Sequence, residues 1–195
     1  MENENIIRIK IVGDTRVGKT SIYKRMVGEE FLKTLPSTIR VQRDFQGNFK
    51  FKNKEYKIDF FDATIEKEYK DDCWGFLKRN PGGGYFVVFD LCKEGSLNAV
   101  NSWIADIKEN DPTDKIIILG NKSDETKNKI NKETIDSLLA KYREENIDFI
   151  ETSAKTNKNI ANALQKMIDL IEGNPQGNAN ESSEKKNCPC FNCLK

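Results

Sequence analysis

The eight residues Gly13-Asp14-Thr15-Arg16-Val17-Gly18-Lys19-Thr20 constrain this chain more than any other stretch of it. They follow Ile6 to Val12, an apolar, β-branched run that reads as a buried strand, and precede Ser21 to Met26, which reads as a helix start. Strand, glycine-bounded loop, Lys-Thr and helix, in that order, form the context of a phosphate-binding P-loop. The glycines let the backbone wrap closely around an anion. The wrapped amides and the helix N-terminus then aim partial positive charge at it. Lys19 is expected to bridge the terminal phosphates, and the Thr20 hydroxyl to ligand the Mg²⁺ that accompanies them. The competing reading is a chance match in a glycine-bearing turn, and the flanking strand and helix weigh against it. The implied ligand is a nucleoside triphosphate or its product.

A chain of 195 residues is the length of one domain plus a tail. Its formal net charge of +1 gives no reason to expect nucleic acid as a partner. The N-terminus is acidic and polar, and the apolar run after it is too short for a signal peptide or a membrane span. Glu2 stands where N-myristoylation needs glycine. Cys73 and Cys92 lie far apart while Cys188, Cys190 and Cys193 crowd the end, a poor disulfide framework, so a reducing, cytosolic setting is expected. The chain has no histidine, which removes His-based catalysis and His-ligated zinc.

Strand and helix patterns alternate, which predicts a parallel sheet with helices on both faces. Phe45 to Phe51 and Tyr56 to Phe61 alternate in polarity and read as an antiparallel hairpin through Lys52-Asn53-Lys54. Tyr85 to Phe89 and Ile116 to Leu119 are wholly apolar, as central strands covered on both faces should be. Helical periodicity appears at Leu97 to Ile107, Ile135 to Tyr142 and Ile160 to Ile171, and Phe149-Ile150 marks a last strand. The folded domain is therefore expected over 1–172. From Gly173 the apolar period ends, and 173–195 is expected to be a disordered tether with a coil dimension on the order of 25 Å.

Asn121-Lys122-Ser123-Asp124 directly follows the apolar run Ile116 to Gly120. A carboxylate at such a strand end can accept two hydrogen bonds from N1 and the exocyclic amine of guanine, a donor pair that adenine lacks. Thr152-Ser153-Ala154-Lys155, after Phe149-Ile150-Glu151, can present backbone N–H groups to a purine carbonyl. A surface turn is the bland reading of either motif alone; their order after a P-loop makes them informative.

With these motifs the chain resembles the Ras-like small GTPases, and within them the Rab branch most, over about residues 6 to 172. The resemblance implies a P-loop G domain with a six-stranded, mostly parallel sheet, one strand antiparallel, and five helices on both faces. It implies a GTP/GDP switch with Mg²⁺ in which residues Gly13 to Ser21 cradle the phosphates, while Asn121, Lys122, Asp124, Ser153, Ala154 and Lys155 hold the base. Phe31 falls where the family packs an aromatic on guanine, core packing being the alternative. Thr38, in Pro36-Ser37-Thr38-Ile39, falls on the switch I threonine that ligands Mg²⁺ and senses the γ-phosphate. Trp103 looks like the Rab-type third helix and reads as core.

The sequence departs from the family after the third strand. Asp62 stands where the Mg²⁺ shell is held, but Ile65 replaces the glycine whose amide binds the γ-phosphate, and Glu66 replaces the water-positioning glutamine. A β-branched residue is stiff and disfavours positive φ. A carboxylate only accepts hydrogen bonds and repels the triphosphate, by ~4 kcal/mol for unit charges 4 Å apart at an effective dielectric of 20. Either triphosphate binding is impaired, or Glu66 turns outward, or it serves as general base. Lys19 and Thr38 complete the expected catalytic set, and slow hydrolysis is expected. Asp72-Cys73-Trp74-Gly75 also spells Asp-x-x-Gly, but it does not end an apolar strand and is taken as coincidence. Asn80 to Gly84 reads as a flexible turn, so an atypical, mobile switch II is expected. Arg16 could lend charge to the phosphates in cis, although solvent is the preferred destination. Thr15 crowds the space a partner's arginine would use. Arg40 replaces a glycine usual in Rabs.

The resemblance further implies geranylgeranylation at Cys188, Cys190 or Cys193 and a peripheral place on the cytosolic face of intracellular membranes. It also implies effectors, an exchange factor and a GTPase-activating protein as partners. A zinc knuckle or plain reactive thiols are the alternatives for these cysteines. Three cysteines without a histidine lack the usual fourth ligand.

Overall fold

Ile6 to Val12 folds as the expected strand, β1 (Ile6–Val12), and lies in the middle of a six-stranded sheet. The structure is a computed structural model and describes residues 6–35, 40–51, 54–64, 70–112, 115–127 and 129–173. In chain order the elements after β1 are α1 (Lys19–Met26), β2 (Arg40–Phe51), β3 (Lys54–Thr64), α2 (Lys70–Lys78), β4 (Gly84–Asp90) and α3 (Glu94–Asn98). There follow α4 (Val100–Asn110), β5 (Lys115–Asn121), α5 (Lys132–Arg143), β6 (Asp148–Glu151) and α6 (Ile160–Ile171). Ala99 alone separates α3 from α4 and is itself helical, so the two form one interrupted helix and the described residues hold five helical units.

The strands run in the order β2-β3-β1-β4-β5-β6, with β2 antiparallel to β3 and every other pair parallel. Alternate residues on each strand serve opposite faces. Ile9 and Ile11 of β1, Ile58 and Phe60 of β3 and Val88 of β4 meet Ile22 and Met26 of α1 and Leu164 and Met167 of α6. Val12, Phe61, Val87 and Ile118 turn to the other face, against Trp74 and Leu77 of α2, Ile104 and Ile107 of α4, and Leu139 of α5. Full burial of each such side chain stabilises the fold by about 1.5–3 kcal/mol.

One charged residue lies inside that second face. Lys10 is fully buried, and its ammonium sits 3.0 Å from a carboxylate oxygen of Asp111 and 4.8 Å from the centre of the Tyr85 ring. The Tyr85 hydroxyl donates to the same Asp111 oxygen at 3.2 Å. A cation in a core requires such company, because an unpaired one costs several kcal/mol.

Three local expectations need correction. The hairpin is longer than its apolar pattern: β2 begins at Arg40, with a register shift between Arg43 and Phe45. As an edge strand it pairs only with β3, so its backbone is held without apolar alternation. A helix, α2, stands where mixed composition hid any periodicity; Asp72 to Gly75 lies within it and, as expected, ends no strand. The turn before β4 is shorter than Asn80 to Gly84, because Gly84 already pairs with Ile9 and Lys115. Arg8 donates to the Pro81 carbonyl at 2.9 Å and pins that turn.

Candidate functional site

The carboxyl ends of the parallel strands converge on one edge, the place where open α/β sheets bind ligands. β1 delivers Gly13 to Gly18, β3 Asp62, β4 Asp90, β5 Asn121 to Asp124, and β6 Thr152 to Lys155. Between them lies a cleft of about 370 Å³. Thr15, Arg16, Gly18, Lys19, Thr20 and Ser21 line one end, and Asn121, Lys122, Asp124, Ala154, Lys155 and Phe31 the other.

The loop closes tightly because its glycines adopt conformations closed to other residues. Gly13 has φ +140°, and a Cβ there would lie 2.1 Å from the Val88 carbonyl oxygen. Gly18 has φ +99°, and its Cβ would meet the Asn121 amide at 2.3 Å. Gly18 caps α1 without a side-chain bond, which leaves the first amides of the helix to an anion. Lys19 is buried, and its ammonium donates to the carbonyls of Gly13 (2.8 Å) and Asp14 (2.9 Å). Burial lowers the Lys19 pKa, against the raising influence of the Asp62 and Asp14 charges. The Thr20 hydroxyl donates to Asp62 at 2.5 Å.

Thr20 and Asp62 thus offer hard oxygen donors side by side, the chemistry Mg²⁺ prefers. Among the described residues no three His, Cys, Asp or Glu side chains cluster as a metal cage. Mg²⁺ takes one or two protein ligands and fills its shell with phosphate and water. The residues present fit the ion.

At the other end, Asn121 joins the two halves of the cleft. Its Nδ2 donates to the Val17 carbonyl at 2.9 Å, and its Oδ1 accepts from the Ala154 N–H at 3.2 Å. Lys122 donates to the Arg16 carbonyl at 3.0 Å and to Asp90 at 2.6 Å. Asp124 accepts from the Ser153 hydroxyl at 2.5 Å, with the Lys155 ammonium 3.3 Å away. Burial pushes the Asp124 pKa up, but these hydrogen bonds and the Lys155 charge outweigh it and hold the carboxyl below its usual range.

Phe31 lines the cleft and also packs on the first core cluster. Arg16 is exposed at the cleft mouth with φ +64°. Thr38, Ile65, Glu66, Cys188, Cys190 and Cys193 lie outside the described residues. Two contacts escaped the sequence reading. The Trp103 indole N–H donates to the Asp14 carboxylate at 3.1 Å, so this residue touches the P-loop as well as the core. Arg25, on the last turn of α1, donates to the Ala154 carbonyl at 2.8 Å. Both join residues distant in sequence, and no local pattern announces them.

A sequence model of the Ras family matches residues 8–173. Ras-related protein Rab-15 from Homo sapiens is 29% identical over 219 residues, covering 95% of this chain and 97% of that protein. Ras-related protein Rab-8A from Mus musculus is 31% identical over 186 residues, covering 89% and 86% respectively. Rab-8A from Bos taurus is 28% identical over 205 residues, covering 97% and 96%.

Proposed function

The chain belongs to the Ras family, with Rab-like relatives along its length, and on that premise we propose that it is a slow guanine-nucleotide switch acting in vesicle traffic. It binds GTP and GDP with Mg²⁺ and recruits effectors in one of the two states. The observation that carries this reading is a single cleft with a phosphate end and a base end tied together. Lys19 and Thr20 stand at one end and Asp124 with Ala154 and Lys155 at the other, with Asn121 bonded across from the base loop to Val17.

Each group has a distinct duty. The amides of the loop and of α1 receive the phosphates, and Lys19 neutralises them. Thr20, Asp62 (through water) and Thr38 would hold Mg²⁺, which would offset phosphate charge. Asp124 accepts from N1 and the exocyclic amine of guanine. Ile65 and Glu66 favour slow hydrolysis, because neither a stiff β-branched hinge nor a carboxylate orients the attacking water as glycine and glutamine amides do. The same two residues support a second reading, a nucleotide-bound scaffold that does not hydrolyse. Thr15, beside the phosphates, leaves little room for a partner's arginine.

Single-turnover GTP hydrolysis on the purified full chain tests the proposal. Slow turnover is expected, with Ile65→Gly plus Glu66→Gln accelerating it by roughly tenfold to a hundredfold as an oriented water is restored. Fast turnover unaffected by either substitution overturns the account of Ile65 and Glu66, and no turnover in any variant leaves the scaffold reading. In a parallel competition, GTP should displace fluorescent GDP while ATP does not. Equal displacement by ATP removes the guanine assignment.

A further inference from the structure

Arg25 stands behind the cleft wall rather than in it, on the last turn of α1. Its guanidinium spends three donors on backbone carbonyls. Nε reaches the Ala154 oxygen at 2.8 Å, Nη2 the Lys155 oxygen at 3.3 Å, and Nη1 the Glu29 oxygen at 3.3 Å. Ala154 and Lys155 are the turn at the base end of the cleft. Glu29 opens the segment leading to Phe31 on the facing wall, and is itself held by the Lys24 ammonium at 2.7 Å and the Lys24 carbonyl at 2.8 Å. One planar fork therefore joins the phosphate-side helix to both walls of the base pocket, a geometry open to arginine and closed to lysine.

The direction of these bonds matters more than their number. In a trans peptide the C=O and the following N–H point to opposite sides. With the Ala154 carbonyl drawn onto Arg25, the Lys155 N–H must point away from Arg25, and both residues line the cleft. We propose that Arg25 is a positioning residue for base recognition, and that it aims the Lys155 amide at the 6-oxygen of a purine, while the Ala154 N–H is held by Asn121. The proposal rests on the guanine-nucleotide reading given above. It assigns to Arg25 no contact with the nucleotide itself. Asp124 is to read the neighbouring N1 and 2-amino groups of the same edge, held by Ser153 and Lys155.

The test compares release of GDP with release of 6-thioguanosine diphosphate, which keeps N1–H and the 2-amino group and replaces the 6-oxygen by a weakly accepting sulfur, from wild type, Arg25→Ala and Arg25→Lys. GDP should leave Arg25→Ala about tenfold faster than wild type, the size of losing a charge-assisted bond. Release of the 6-thio nucleotide should change much less, so the gap between the two ligands narrows. Arg25→Lys should fall between, because an ammonium reaches one carbonyl and cannot span two. Equal acceleration of both ligands would mean a general loosening of the fold and overturns the proposal, as does unchanged GDP release. If Arg25→Ala does not fold, the same narrowing is required of Arg25→Lys. Wild type that holds no GDP brings down the guanine reading and this proposal together.

Discussion

Asp124 illustrates how neighbours set the working range of one carboxylate. Burial opposes its charge, yet the Ser153 hydroxyl and Lys155 ammonium outweigh that penalty and hold its pKa below the ordinary 3.8. A group depressed in this way contributes stability that is present above its unfolded pKa and lost as pH falls through the lower folded value. The chain also lacks histidine, the side chain that ordinarily titrates near neutrality. Any change of GDP affinity between about pH 5 and 8 should therefore follow the nucleotide's own terminal phosphate, whose second ionisation lies at about 6. Melting curves should show wild type losing stability below about pH 4, with a shallower loss in Asp124→Asn. At neutral pH that variant should bind GDP more than about a hundredfold weaker by fluorescence titration, because the guanine donors lose their acceptor. A pH profile of stability identical in both chains would contradict this assignment. The chemistry of Asp124 was legible in the sequence because Asn-Lys-x-Asp follows an apolar strand. Its partners were half legible, since Ser153 and Lys155 sit in the second motif. The Trp103 bond to Asp14 was not, because it depends on where α4 lands across the sheet.

At the level of elements, the two glycines of the phosphate loop make separable demands. A Cβ at Gly13 would strike the backbone of β4, which cannot yield without disturbing the sheet, whereas one at Gly18 would strike the end of the Asn121 side chain. Gly13→Ala should destabilise the nucleotide-free fold by about 2–4 kcal/mol. Gly18→Ala should lower the melting temperature less but weaken GDP binding at least tenfold, since Asn121 loses its bond to Val17. Thermal melts with and without GDP separate the two outcomes, and matching losses of stability would refute the distinction. The central strands were readable because strands buried on both faces must be apolar throughout. The first half of β2 and the whole of α2 were not. An edge strand needs only its backbone bonds to β3, and, among the described residues, α2 intersperses exposed Asp71 and Asp72 and a glycine, Gly75, with only three buried side chains, Cys73, Trp74 and Leu77. Where the physics asks little of a side chain, the sequence reveals little of the element.

For the molecule as a whole, no helix among the described residues is long and apolar enough to cross a membrane, and the proposed attachment is lipid on Cys188, Cys190 or Cys193. Expressed in eukaryotic cells, the full chain should partition into the detergent phase and carry the added mass of one or two isoprenoids. Changing all three cysteines to serine should return it to the aqueous phase. A wild-type chain that stays aqueous at its unmodified mass would refute lipid anchoring. The fold gives such an anchor a direction. Glu172, just past α6, pairs with Lys54 at the start of β3, while Asp62 near the other end of the same strand meets Thr20. The length of strand between Lys54 and Asp62 is ~26 Å. Gly173 therefore lies toward the end of β3 opposite the cleft. A lipid reached from there through a long tether would sit on the side away from the nucleotide, leaving the cleft open to whatever arrives to exchange or read it.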